Sequence, residues 1–329
     1  MKVLPDLSFG ILCGLRARAD ARRMLSLMRL ALILLLWMAP AEAQQLGHKA
    51  LGSLGLLAGS QPDSGLYVVS QFVSYGANEV FDRVGHQIPV GLDLDVWANP
   101  IGFQVTFKLP GHSMYMNVSA AAPIAQVSLQ TSQPEATVDA FGFGDVYVQP
   151  LKLGWKMSQM DVVAGYSFYA PTGLYTPRAS GSIGHGQWTH EFSFGGMVYF
   201  DRSKTWSVSA LTSYDLNQRK EGIDITRGDT FQFQGGAGKT FRPRIKTFQS
   251  VSIGAAGYGL WQVRDDRGAD LPAALRGARD LALGLGPELN SVLTPIRSRV
   301  TVRYCRDIAA KSRPLGHILV IQLTIVARR

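Results

Sequence analysis

The stretch QWTHEFSFGGMVYF, DRSK, TWSVSALTSYDL, residues 187–216, constrains the fold of this chain more than any other. In its first arm Phe192, Phe194, Val198 and Phe200 occupy even positions, with Glu191, Ser193 and Gly195 between them. In the second arm Trp206, Val208, Ala210, Tyr214 and Leu216 alternate with Thr205, Ser207, Ser209, Ser213 and Asp215. A period of two over such a length means a strand with one apolar and one polar face. The short charged DRSK turn joins two antiparallel neighbours. Each arm exceeds the about five or six residues of an ordinary globular strand. It matches instead the roughly nine to eleven residues with which a tilted strand crosses a bilayer. The hairpin predicts a transmembrane barrel, apolar outside and polar within.

The front of the chain supports export. Arg29 precedes LALILLLWMA and then Ala41-Glu42-Ala43, which gives a basic region, an apolar core and a small-residue cleavage site. Residues 1–43 are therefore expected to be a presequence with a signal peptide, and 1–27 a start-site extension. A spanning helix needs roughly twenty apolar residues, twice what is present here. Residues 44–65, rich in Gly and Leu without a clear period, are expected to be a loose N-terminal lead, with a plug in the pore mouth as the alternative. The barrel should occupy 66–329.

Charge excludes one large class of partner. Of the net +9, residues 1–43 carry +3 and residues 297–329 carry +7, eight Lys or Arg against Asp307, which leaves the middle at −1. No basic face interleaved with aromatics is visible, so no nucleic acid is expected as a partner. Cys305 stands alone once Cys13 is removed with the presequence, so no intrachain disulfide forms, and no metal site or cofactor is expected.

Strand patterning continues along the chain at 66–75, 90–109 (interrupted by Pro100), 113–129, 143–155, 160–170, 187–200, 205–216, 229–241, 248–263, 280–293, 297–306 and 316–327. The expected fold is all-β: a transmembrane antiparallel up-and-down barrel of about twelve strands. Long polar connections (76–89, 130–142, 171–186, 217–228, 264–279) alternate with brief ones such as PGH, KMSQ and DRSK. Outer-membrane barrels alternate in this way, with long loops outside and short turns in the periplasm, so both termini are expected in the periplasm. Trp155, Trp188, Tyr199, Trp206 and Trp261 lie near strand ends, as interfacial girdles require. Lys239 falls on the lipid face, but near a strand end. There the cost of a charge, about 2–4 kcal/mol at the midplane, fades.

Parity gives the candidate pore-lining residues Asp161, Tyr169, Glu191, Ser193, Ser207, Ser209, Ser213, Asp215, Gln232 and Gln234. Phe141 and Tyr175, with Tyr169, are candidate rim aromatics that could stack a planar solute. No catalytic residue is assigned. His190 shares a face with Phe192 and Phe194, but Phe192 stands where a nucleophile would be needed. Asp93 and Asp95 share a strand face without the further ligands a cation needs. GGAGKTF lacks the strand–loop–helix setting of a phosphate loop, and Gly in barrel strands more often marks a bend or a close approach.

Taken together, PDSGLYVVSQFVSYGANEV from Pro62, GLDLDVWAN from Gly91, GFGDVYVQPLKLGW from Gly142, YAPTGLY from Tyr169, the central hairpin and GDTFQFQGGAGKTF from Gly228 resemble the outer-membrane family labelled MetA-pathway of phenol degradation. The resemblance implies an outer-membrane barrel that passes aromatic or other hydrophobic small molecules inward. Its partners would be those solutes, outer-membrane lipid or lipopolysaccharide, and the barrel assembly machinery. It transfers no binding residues. The last strand, HILVIQLTIVA, departs from the usual aromatic end by closing on Arg328-Arg329. A non-transporting structural or adhesive barrel acting through its outside loops is the alternative.

Overall fold

A computed structural model describes residues 47–110, 113–179 and 181–328; the presequence falls outside them. The strands in chain order are β1 Gly65–Phe81, β2 Gln87–Ile88, β3 Asp93–Lys108, β4 Met114–Ser132, β5 Glu135–Phe143, β6 Val146–Lys156 and β7 Met160–Ala170. They continue with β8 Thr189–Tyr199, β9 Trp206–Asn217, β10 Thr230–Phe241, β11 Phe248–Gln262, β12 Leu281–Leu293, β13 Ser298–Lys311 and β14 Arg313–Arg328.

Each barrel strand pairs antiparallel with its sequence neighbour, and β14 returns to β1 along a register from Leu66↔Arg328 to Phe81↔Arg313. Two of the fourteen strands do not take a barrel position of their own. β2 is a two-residue flap on the end of β1. β5 and β6 share one position, β5 against the far half of β4 and β6 against its near half, with a break at Gly144-Asp145. The result is a closed twelve-strand antiparallel barrel of the outer-membrane type. The twelve barrel positions close on themselves through β14 and β1, which is the condition for a sheet in lipid; β5, paired with β4 alone, keeps one free edge.

The expected alternation of faces is observed. Phe192, Phe194, Trp206, Val208, Phe231 and Phe233 are exposed on the outside, whereas Glu191, Ser207, Ser209, Gln232 and Gln234 are buried on the inside. Lys239 lies outside near the end of β10, with its ammonium 4.9 Å from the Trp206 ring centroid and 5.4 Å from that of Phe241. Those aromatic faces offset part of its cost. Tyr199 is a correction: it points inward, and its hydroxyl donates to Asp161 at 3.1 Å.

Two of the five expected long loops are mostly strand. Residues 130–142 form the β4–β5 hairpin, paired from Ile124↔Phe143 to Ser132↔Glu135. Residues 76–81 continue β1. β13 and β14 likewise run past the expected ends and turn at Ser312, whose φ of 54° is left-handed. The extensions carry Gln130, Ser132, Glu135, Thr137, Asp139, Asp307 and Lys311, so hydropathy reads them as loop. Backbone groups still need partners, and a neighbouring strand already stands beside each extension.

Pro100 does not break its strand either. β3 is continuous, but its ladder to β1 is interrupted between Ser70↔Ile101 and Val73↔Ala98. There Asn99 Nδ2 reaches across to the Gln71 carbonyl at 3.1 Å. A prolyl nitrogen cannot donate, and the neighbouring amide supplies the missing hydrogen bond.

Candidate functional site

The barrel interior is the candidate site. It carries polar groups around most of its circumference, Glu288, Asn290, Thr301 and Arg303 of β12 and β13 among them, and apolar clusters at two places. β7 to β10 contribute Asp161, Ser167, Glu191, Ser209, Ser213, Asp215, Gln232 and Gln234, all buried. β11 to β14 and β1 contribute Ala256, Tyr258, Leu260, Ala282, Cys305, Ile318, Val320 and Val73, which pack as one apolar cluster. A second apolar cluster follows at the ends of β1 and β3: Ala77, Val80, Leu92 and Leu94, with Ile88, Val90, Val96, Val127 and Leu129 against it.

Residues 47–61 run through this interior, the stretch for which the sequence offers a loose lead or a plug. Leu51, Leu56, Ala58 and Gln61 are buried. The segment is held by hydrogen bonds to strands on opposite sides of the barrel. Leu54 N donates to Gln234 Oε1 at 3.0 Å, Leu56 N to Glu288 Oε2 at 3.0 Å and Gly59 N to Ser209 Oγ at 2.7 Å. Ser60 Oγ donates to Asp161 at 2.6 Å, and Arg303 Nη1 to the Gly52 carbonyl at 2.8 Å. Lys49 pairs with Glu191 and reaches Ser213 Oγ at 3.4 Å. The segment has no secondary-structure ladder of its own, so lumenal side chains take over its backbone groups.

Its leucines are seated as well. Leu51 joins the apolar cluster around Cys305. Leu56 lies over Gly236, Gly238 and Gly254, where added β-carbons would come within 2.9–3.1 Å of it. The glycines of GGAGKTF thus make a shallow bay for a leucine. This is the close approach that Gly in a strand signals.

Of the residues singled out by parity, Asp161, Tyr169, Glu191, Ser207, Ser209, Ser213, Asp215, Gln232 and Gln234 are buried within, and half-buried Ser193 donates to the Gly165 carbonyl at 3.4 Å. Asp215 accepts Gln232 Nε2 at 2.5 Å and Thr230 Oγ1 at 3.2 Å. Five of the ten, Asp161, Glu191, Ser209, Ser213 and Gln234, hydrogen-bond the N-terminal segment. The rim aromatics are not brought together. Phe141 is 62% exposed on the outer surface beside Trp97, at 6.0 Å between centroids. Tyr175 lies in the 171–188 loop, with the Lys220 ammonium 5.9 Å from its ring centroid. Tyr169 stacks on His48 at 4.7 Å. Outside, His190 is engaged by the Tyr166 hydroxyl at 2.8 Å and by Gln218 at 3.0 Å. Asp93 and Asp95 are exposed on the outer face of β3.

Sequence reasoning passed over His48, Lys49, Asp145, His185, Glu288 and Arg303. Glu288 and Arg303 form a buried ion pair at 2.7 Å between β12 and β13. Charges inside membrane-length strands were the signal for that pair. His48, Asp145 and His185 converge near the far end of β7, His48 Nε2 lying 2.9 Å and His185 Nδ1 3.5 Å from Asp145 Oδ2. Burial holds both imidazoles, which lie on the N-terminal segment and the 171–188 loop, below their ordinary pKa.

Comparison with known proteins agrees with this geometry. A family model described as "Putative MetA-pathway of phenol degradation" matches residues 77–323. An outer membrane channel from Pseudomonas putida F1 superposes with a TM-score of 0.68 at 12% identity, covering 82% of this chain and 97% of that one. The β domain of the Bordetella autotransporter BrkA gives 0.51 at 10% identity, covering 80% and 100%. At these identities the likeness is one of fold. None of the curated proteins matches the sequence.

Proposed function

The chain belongs to the MetA-pathway of phenol degradation family, and from that premise we propose that it is a passive outer-membrane channel admitting aromatic or other hydrophobic small molecules to the periplasm. One observation carries the choice of solute. At the long-loop end the β1, β3 and β4 part of the wall is apolar, built from Ala77, Val80, Leu92, Leu94, Val96, Val127 and Leu129. A wall of this kind takes up an apolar solute by removing its surface from water, whereas a sugar or ion gains nothing there. The polar groups deeper inside are occupied by residues 47–61. Passage therefore requires that segment to move, and hydrogen bonds and one ion pair let it do so without breaking a covalent bond. The short turns and both strand termini share one end of the barrel, which we assign to the periplasm. Outer-membrane lipid or lipopolysaccharide surrounds the exposed aromatic band, and the barrel assembly machinery inserts it.

A non-transporting barrel is the second reading, and the filled interior favours it: a permanently seated segment would leave only the loops at 171–188, 218–229 and 263–280 to act. Uptake separates the two. A deletion strain and its complemented parent are compared on a panel of labelled aromatic carbon sources. Faster initial uptake of at least one compound in the complemented strain supports the channel. Equal rates for every compound support the second reading.

A further inference from the structure

We propose that His48, Asp145 and His185 form a binding site for a first-row divalent transition ion of the zinc class, and that the ion latches the N-terminal segment to the barrel wall. The three ligands come from three separate parts of the chain. His48 belongs to the lumenal segment, Asp145 to the break between β5 and β6, and His185 to the outer loop after β7. Their donor atoms all lie within 4.8 Å of one another.

The hydrogen-bond count around His48 asks for a cation. Asn217 is oriented by its Nδ2, which donates to the Gly228 carbonyl at 3.1 Å, so its Oδ1 faces Thr189. The Thr189 hydroxyl donates its single proton to that oxygen at 2.7 Å. Toward His48 Nδ1, 3.1 Å away, Thr189 can then only accept, and Nδ1 must carry the ring proton. A neutral His48 therefore points the bare lone pair of Nε2 at Asp145 Oδ2, 2.9 Å away. Two acceptors at that distance repel unless a positive charge stands between them. A proton on Nε2 would serve that pair alone, whereas the His185 ring, 4.1 Å away centroid to centroid, brings a third donor atom to the same carboxylate oxygen at 3.5 Å.

A metal ion satisfies all three groups at once. Zinc takes imidazole nitrogen at about 2.0–2.1 Å and carboxylate oxygen at about 2.0–2.2 Å, which places tetrahedral ligands about 3.4 Å apart. The observed separations of 2.9 and 3.5 Å bracket that edge. Two imidazoles with one carboxylate suit zinc, cobalt or nickel rather than calcium or magnesium. The carboxylate is already oriented, because Oδ1 accepts Gly173 N at 2.9 Å and Oδ2 accepts His185 N at 2.7 Å. Such outer partners fix a ligand's direction before the ion arrives. The inference is independent of which solute the barrel passes.

The test uses the untagged full-length barrel, folded in detergent and stripped with chelator, with Co2+ as the probe. The expected result is a visible absorption band that saturates at one equivalent and is abolished by Zn2+. His48→Gln and His185→Gln should each weaken binding on the order of tenfold or more. Both variants leave Asp145 holding its two amides, and heat-modifiable gel mobility checks that each is folded. Protease cleavage within residues 47–61 should slow on adding Zn2+ in the parent and not in His48→Gln. A spectrum unchanged from aqueous Co2+ with folded parent protein overturns the site. Equal binding by protein carrying both His48→Gln and His185→Gln also overturns it. Cleavage rates indifferent to Zn2+ overturn the latch.

Discussion

The carbonyl oxygen of Gly196 in β8 stands 1.8 Å from where a β-carbon on Gly59 would be, so segment and wall meet there at backbone contact. No rotamer relieves such a clash, since the obstacle is main chain on a strand paired on both sides. Gly59→Val should therefore displace the segment while leaving the closed barrel intact. Cys305 reports the change, because it is fully buried in the apolar cluster that Leu51 covers. In a Cys13→Ser background, maleimide labelling of folded Gly59→Val protein should be at least tenfold faster than that of the parent. Single-channel conductance should rise alongside it. Unchanged labelling would mean that the segment can re-seat without this contact.

Glu288 and Arg303 give the second prediction. Their side chains are 1% and 4% exposed, and each also holds the segment, Glu288 through Leu56 N and Arg303 through the Gly52 carbonyl. Removing one partner of a buried pair leaves an uncompensated charge and costs about 3–5 kcal/mol. Arg303→Leu should lower unfolding stability in lipid by that amount, measured by urea titration of Trp fluorescence. Arg303→Leu with Glu288→Leu should recover most of the loss, because the charge left behind is what destabilises.

Much of this architecture was legible because lipid is a strict solvent. A spanning strand must show one apolar face, and period-two alternation makes that face visible in residues such as Phe192, Phe194, Val208 and Phe233. The same parity located the polar wall from Asp161 to Gln234. The segment at 47–61 was not legible, because its register is set by contacts far away in sequence, such as Leu56 with Glu288 and Gly59 with Ser209. Its glycines and leucines obey no local period. Phe141 misled for a related reason: nearness to a strand end says nothing about inside or outside until the partner strand's facing is known.

The turn after β1 supplies a pH dependence. Asp82 Oδ1 accepts three backbone amides, from Val84 at 2.9 Å and from Gly85 and His86 at 2.8 Å each. Those hydrogen bonds, the one from His86 foremost, hold its carboxyl below the ordinary carboxylate range. A depressed folded pKa contributes stability that is present above the unfolded value and is lost as pH falls through the folded one. The amide resonances of residues 84–86 should stay fixed from pH 7 to about 4, the unfolded carboxyl range, and move together below it. Asp82→Asn should abolish the transition. A transition that persists unchanged in Asp82→Asn would assign it to another group.

Lys49 and Glu191 give the last prediction. Glu191 on β8 lies directly across the ladder from Asp215 on β9, so the wall brings two inward carboxyl groups side by side. Lys49, carried by the N-terminal segment rather than by a barrel strand, is the cation paired with Glu191. Ion selectivity in a narrow pore follows its lining charge, and an unpaired carboxylate attracts cations. Lys49→Ala should therefore shift the reversal potential in a salt gradient toward cation selectivity, and adding Glu191→Gln should return it. If instead the segment merely fills space, Lys49→Ala would change conductance without changing selectivity. The two measurements come from the same bilayer recording, so a charge role and a steric role for residues 47–61 separate in one experiment.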